Sequence, residues 1–273
     1  MAFIKARDGT QLYYKDWGSG RPVVFIHGWP LNADMWDYQL AHLAAHGIRA
    51  IAYDRRGFGR SEQPWMGYDY DTFADDLASV VEELDLHDAG LVGFSMGGGE
   101  VARYLARHGS ARVSRAALIS AVTPYLLKTA EHPDGVDVST FDRMVEGLMK
   151  DRPHFIAQFG PQFFGKTLLD PKVSDETLQW TLMMAMQASG RATQACVRAF
   201  SETDFRGDLP KFGVPTLVVH GSADKTVPIE VAGRQAAKLI PGADFIEYEG
   251  EPHGLFITAK DRLNADLLTF LRG

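Results

Sequence analysis

The segment Gly93-Phe94-Ser95-Met96-Gly97 constrains this chain more than any other. It directly follows the apolar run Ala89-Gly90-Leu91-Val92 and precedes a helix-like run from Glu100 to His108. The pattern is strand, sharp turn, helix, with a serine at the apex. Such a turn lifts a serine hydroxyl above the edge of a sheet and forces strained backbone on that residue. Glycine two residues to either side lets strand and helix approach with no Cβ between them. Composition alone would produce about 0.1 such pentapeptides in a chain of this length. The flanking elements and the partners elsewhere therefore decide what the segment means.

Serine is a weak nucleophile at neutral pH and needs a base, which an acid must orient. An elbow of this kind belongs with an acid and then a histidine later in the chain. Thr216 to His220 reads as a buried strand, and Gly221-Ser222-Ala223-Asp224 follows it. Ala243 to Tyr248 reads as the next strand, and Glu249-Gly250-Glu251-Pro252-His253-Gly254 follows that. In a parallel sheet both loops emerge on the edge that carries the elbow. Ser95, Asp224 and His253 are therefore the candidate nucleophile, acid and base. Asp54 also ends a strand, but it precedes the serine, and Arg55 and Arg56 follow it; a salt-bridged structural role is expected. Acyl transfer places negative charge on a former carbonyl oxygen, which two fixed backbone N–H groups can stabilise. Met96 N–H is expected to supply one. The strand Pro22 to Ile26 leads into His27-Gly28-Trp29-Pro30, and Trp29 N–H is expected to supply the other. Pro30 has no N–H and cannot serve. His27 is expected to brace the loop.

The bulk properties narrow the class. The chain has 273 residues, net charge −7 and a single cysteine, Cys196. That length suits one large α/β unit with an insertion. No basic stripe is present, which argues against nucleic acid as a partner. One cysteine excludes an intrachain disulfide. Met1 to Asp8 lacks the apolar core of a secretory leader, and no apolar run reaches the ~20 residues of a membrane span. A cytoplasmic enzyme is the expectation. His108, His132 and His154 lack metal-ligand spacing, and Gly97-Gly98-Gly99 has no Lys-Ser/Thr after it to make a phosphate loop.

Phe3-Ile4-Lys5 and Gln11 to Tyr14 predict a hairpin around Asp8-Gly9. Helical spacing is expected over Met35–His46, Asp71–Leu84, the stretch after the elbow and Lys260–Leu271, with strands at Ala50–Asp54 and Ala116–Ala121. This alternation predicts an α/β fold, a mostly parallel sheet with helices on both faces. Residues 122–206 break the alternation with helical patterns and no strand. They hold seven of the 16 Phe and five of the nine Met. They are expected to form a helical cap inserted in a core of residues 1–121 and 207–273, with three or four of those apolar side chains facing a substrate.

His27-Gly28-Trp29-Pro30, the run Tyr53-Asp54-Arg55-Arg56-Gly57-Phe58-Gly59-Arg60-Ser61, Gly93 to Gly99 and Pro252-His253-Gly254 together resemble the cofactor-free bacterial haloperoxidases. That group includes aryl esterases and perhydrolases of the α/β-hydrolase fold, and the resemblance covers essentially the whole chain. It implies a Ser95–Asp224–His253 triad acting on small carboxylic esters. It also implies conversion of carboxylic acids with hydrogen peroxide to peracids, which then oxidise halide, with no haem, metal or other cofactor, and a homo-oligomeric assembly. Pro30 fixes its own backbone and biases Trp29 towards extended conformation, setting the direction of the Trp29 carbonyl. A carbonyl aimed into the site could accept a hydrogen bond from peroxide that attacking water does not make, so the Pro30 loop is expected to govern selectivity between the two. Ser95 argues against dehalogenases and epoxide hydrolases, which need an aspartate nucleophile. Carbon–carbon bond, lactone and lactam hydrolases, and slow-turnover ligand sensors, remain alternatives.

Overall fold

Apolar runs that are buried on both sides pair in parallel, because only a sheet covered on both faces hides them from water. In a computed structural model, which describes residues 2–273, six parallel strands line up, five of them mostly buried and the last, at the sheet edge, half-buried. They are β3 (Arg21–Ile26), β4 (Ile48–Tyr53), β5 (Ala89–Phe94), β6 (Val113–Ile119), β7 (Thr216–Gly221) and β8 (Asp244–Tyr248). The predicted hairpin is present as β1 (Ala2–Lys5) and β2 (Gln11–Trp17), and β2 pairs antiparallel with β4. The sheet order is β1-β2-β4-β3-β5-β6-β7-β8, parallel from β4 onward. Every residue of β5 and of β7 is buried.

Side chains alternate across a strand, so each strand feeds two cores. Val24, Ile26, Leu91, Leu118 and Val218 pack on one face under α2 (Tyr70–Glu83), α3 (Met96–His108) and α7 (Gly233–Leu239). Val23, Phe25, Val92, Ile119 and Val219 pack on the other under α1 (Asp37–Ala45) and α9 (Lys260–Arg272). Of the α2 stripe, Phe73, Leu77, Val80 and Val81 are fully buried, as the spacing predicts, while Leu84, expected with them, is the C-cap and only half-buried. The helix expected from Met35 instead begins as a 3-10 turn over Ala33–Trp36. The Asn32 side chain caps that turn by accepting from Asp34 N–H.

Between β6 and β7 run α4 (Val138–Phe163), α5 (Asp175–Met186) and α6 (Gly190–Glu202). α4 is kinked at Asp151, whose φ of −159° leaves the helical region two residues before Pro153. The chain leaves and re-enters this helical segment at one point: Phe205 N–H donates to the Pro124 carbonyl at 2.8 Å. No helix among the described residues is long and apolar enough to cross a membrane. The short α8 (Leu255–Thr258) follows the loop that carries His253.

Candidate active site

The C-terminal ends of β3, β5, β7 and β8 lie along one edge of the sheet, with β6 between β5 and β7, and the loops leaving them build one site. Ser95 stands between β5 and α3 with φ 53° and ψ −118°, a left-handed conformation unusual for a side-chain-bearing residue. Backbone hydrogen bonds hold it there: Ser95 N–H donates to Ile119 O at 2.9 Å, and Ser95 O accepts from Gly98 and Val122. Gly97 is required at the elbow, since a Cβ there would lie 2.4 Å from the Ile26 carbonyl oxygen.

The three residues expected as nucleophile, acid and base come together. His253 Nε2 is 2.9 Å from Ser95 Oγ, and His253 Nδ1 is 2.6 Å from Asp224 Oδ2. All three are buried. The other Asp224 oxygen, Oδ1, accepts from Thr226 N–H at 2.9 Å and Val227 N–H at 2.8 Å. Burial opposes the Asp224 charge, but His253 and His220 beside it outweigh that, and the carboxyl is held well below the usual carboxylate range. The imidazole of His253 lies between two rings, Phe94 at 4.8 Å and Phe163 at 5.0 Å, and Gly254 N–H donates to Phe163 O. The end of α4 therefore clamps the base.

Met96 follows the serine and Trp29 lines the same cavity as Ser95, and among the described residues neither backbone N–H donates to a backbone acceptor. Met96 opens α3, so its N–H also lies at the positive end of a helix. The Trp29 loop is anchored at several points. Its indole Nε1–H donates to Thr193 O on α6 at 3.0 Å, and its ring packs edge-on against Phe159 and Phe200. His27 does brace this loop. Its Nδ1 is 2.9 Å from Gly28 O, while its Nε2 accepts from Arg55 N–H at 2.9 Å. Burial first, and the Arg55 charge second, push its pKa well below the ordinary imidazole value. Both ring nitrogens are thus occupied in scaffolding. Beneath it Arg55 donates from Nη2 to His27 O and from Nε to Glu100 at 2.6 Å, and the Tyr53 hydroxyl also donates to Glu100. Arg55 and Glu100 are fully buried, a pair that would be costly to break by removing one partner.

Asp54 has the structural role expected, but not with its sequence neighbours. It accepts from Ala33 N–H, Arg60 N–H and Arg60 Nε, while Arg55 pairs with Glu100 and Arg56 with Asp76 and Asp8. The Gly-rich turn after Arg56 brings Arg60 back over the end of β4.

A cavity of about 330 Å³ opens over Ser95 and His253. Phe141, Phe155, Phe159, Phe200 and Met144 line it, all from the helical segment, with Trp29 and Val227 on the core side. That is one apolar side chain more than expected. A second cavity of about 330 Å³ lies between α4, α5 and the β3 loop; Phe159 borders both. Pro30 lines this second cavity and not the first. The Trp29–Pro30 peptide is cis. Cys196 is buried on α6, and burial pushes its thiol up to about 12. Sequence reasoning passed over His220, Phe163 and the Arg55–Glu100 pair. Each reads there as core or surface, and only the fold brings them to the site.

A buried serine, imidazole and carboxylate in line, beside two free N–H groups at the edge of a parallel sheet, have the layout of a serine hydrolase site. Known proteins agree. The pattern of the family described as alpha/beta hydrolase fold matches residues 21–260. A non-heme chloroperoxidase of Kitasatospora aureofaciens is 47% identical over 273 residues, covering 99% of each chain. A bifunctional esterase/perhydrolase of Acinetobacter calcoaceticus is 42% identical, covering 100% of each. The crystal structure of a bromoperoxidase from Bacillus anthracis superposes with a TM-score of 0.96 at 44% identity, covering 100% of this chain and 99% of that one. The chain belongs to the α/β-hydrolase fold family, in the group that holds the non-heme haloperoxidases.

Proposed function

We propose that this protein is a serine hydrolase of small carboxylic esters, aryl or short-chain, with perhydrolase activity. The observation that carries the reading is the continuous relay from Ser95 Oγ through His253 to Asp224, at 2.9 and 2.6 Å. Ser95 Oγ attacks the ester carbonyl while His253 Nε2 takes its proton, and the tetrahedral oxyanion points to Trp29 N–H and Met96 N–H. His253 then returns the proton to the leaving alcohol, leaving an acyl-Ser95. Water or hydrogen peroxide, deprotonated by His253, attacks that acyl group and releases acid or peracid. Peracid then accounts for apparent halide oxidation in solution, with no cofactor in the cycle. Asp224, held ionised, stabilises the imidazolium that forms in each half-reaction.

Residues 122–206 serve as a cap over the acyl group, and residues 1–121 and 207–273 as the core that carries the chemistry. Cytoplasmic location and homo-oligomeric assembly complete the reading, the latter from the group's habit. A carbon–carbon bond hydrolase would need an arginine aimed at a substrate carboxylate. Arg143 reaches the cavity wall, but it donates to the Ser139 and Thr140 hydroxyls. The test is p-nitrophenyl acetate hydrolysis beside peracid formation from acetate and peroxide, on wild type and Ser95→Ala. Both activities should fall by several orders of magnitude together. Retention of more than about a hundredth of wild-type kcat refutes the nucleophile. A single burst without turnover in the wild type would favour a ligand sensor.

A further inference from the structure

We propose that His220 is a positioning residue for the catalytic acid, sharing Asp224 Oδ2 with His253 so that this oxygen stays aimed at the base. The inference rests on the triad reading above.

His220 is the penultimate residue of β7, fully buried, four positions before Asp224. Its Nε2 lies 2.9 Å from Val227 O and 3.3 Å from Asp224 Oδ2. Its Nδ1 is buried and has no hydrogen-bond partner among the described residues. With two acceptors at Nε2 and none at Nδ1, the ring proton sits on Nε2. The ring is also locked sterically. A Cβ on Gly233 would lie 2.6 Å from Nδ1, so the start of α7 packs directly against the imidazole.

These contacts close a loop through Val227. His220 Nε2–H donates to Val227 O, Val227 N–H donates to Asp224 Oδ1, and Asp224 Oδ2 returns to His220. A carboxylate turns about a soft terminal torsion, with broad rather than staggered preferences. The turn amides fix one oxygen of Asp224. His220 sits on the side of the other, which it shares unequally with His253 at 2.6 Å. When His253 takes the serine proton, the carboxylate must already face Nδ1; a carboxylate that swings has to be reoriented within the transition state. His220 thereby ties the acid to the rigid end of a central strand instead of leaving it to its loop. The competing reading is that His220 merely packs the end of β7 and the 224–227 turn.

The test is a double-mutant cycle with p-nitrophenyl acetate. His220→Leu keeps volume and removes the donor. His220→Gln places an amide N–H near the position of Nε2, and His220→Asn places it near Nδ1. His220→Leu should lower kcat about tenfold, the scale of one polar contact to the carboxylate, with KM within about twofold. His220→Gln should recover most of that loss and His220→Asn little of it. In an Asp224→Asn background His220→Leu should cost nothing further, because its effect runs through that carboxylate. Equal loss in both backgrounds, or wild-type kcat in His220→Leu, overturns the proposal. Where thermal denaturation shows His220→Leu unfolded, the Gln and Asn pair decides: equal activities overturn the proposal. Asp224→Asn retaining wild-type activity would instead sink the triad reading itself, whatever His220 does.

Discussion

Gly28→Ala tests the oxyanion loop without replacing a residue of the triad. A Cβ at residue 28 would lie 2.6 Å from Phe94 Cδ1, 2.9 Å from Phe94 Cε1 and 3.1 Å from Ser95 Cβ. Carbon atoms in ordinary contact sit about 3.5–4.0 Å apart, so the first of these is too close by about 1 Å. Phe94 cannot yield that space. It is fully buried and packs against Trp36, Phe163, His253 and Phe256. The 27–30 loop must therefore move outward, carrying Trp29 N–H away from the oxyanion. Losing one such donor costs about 3–4 kcal/mol, or on the order of 10²–10³ in kcat, while overpacking costs roughly 1–3 kcal/mol of stability. The assay is kcat and KM on p-nitrophenyl acetate, with thermal denaturation alongside. Expected is a folded protein with kcat down at least about a hundredfold and KM little changed. A folded Gly28→Ala within about threefold of wild-type kcat refutes the placement of Trp29 N–H in the oxyanion hole.

Further outcomes follow from the same geometry. Because Asp224 is held below the ordinary carboxylate range, it stays ionised well into acid, so kcat/KM should drop on the acid side with a slope of one; a slope of two would assign Asp224 a proton there. By the same sign, the stability that Asp224 contributes is present above its unfolded pKa and lost as pH falls towards its folded one. Asp224→Asn should therefore flatten the acid-side decline in Tm below about pH 4. Pro30→Leu should lower the perhydrolysis-to-hydrolysis ratio about tenfold while ester hydrolysis is kept, the scale of one hydrogen bond made mainly in the transition state; an unchanged ratio leaves Pro30 a structural residue. The Phe-lined cavity should favour acetate to butyrate esters of phenols, and a preference for acyl chains of about twelve carbons or more contradicts it. The Cys196 thiol, buried and pushed up to about 12, should stay unmodified by Ellman's reagent in the native protein and react on unfolding.

What could be read from residue order alone depended on locality. β5 and β7 are buried on both sides, so they appear as unbroken apolar runs, and the loops that follow them are placed with them. Ser95 and Asp224 inherit their positions from those strands, and His253 from β8 at the sheet edge. The α2 stripe was equally legible, because helical spacing needs no tertiary partner to be seen. Asp54 shows where this ends: its role was foreseeable, but its cation is Arg60, which reaches it only after the Gly57–Gly59 turn reverses the chain. His220 looks like the polar end of an apolar strand, and nothing local says that a neighbouring turn will bring Asp224 and Val227 to its ring. Phe163 is one of several phenylalanines in a helical stretch. Its contact with His253 depends on the course of α4 after its kink, which no periodicity encodes.

The neck formed by Pro124 and Phe205 has a consequence for how this chain can diversify. Both ends of a stretch of about eighty residues meet at one backbone hydrogen bond, and every group assigned to bond making lies outside it. Loop closure grows only logarithmically with length, so lengthening, trimming or exchanging the stretch changes the free energy of the remainder only slightly. On the proposed function, substrate range and reaction chemistry are written in separate passages of one gene, and selection can revise the first while the second stands. The exceptions are Phe163, whose ring reaches back onto His253, and Thr193, Phe159 and Phe200, which anchor Trp29. Any exchanged segment must restore an aromatic ring beside His253, or the new specificity will arrive with a loosened base.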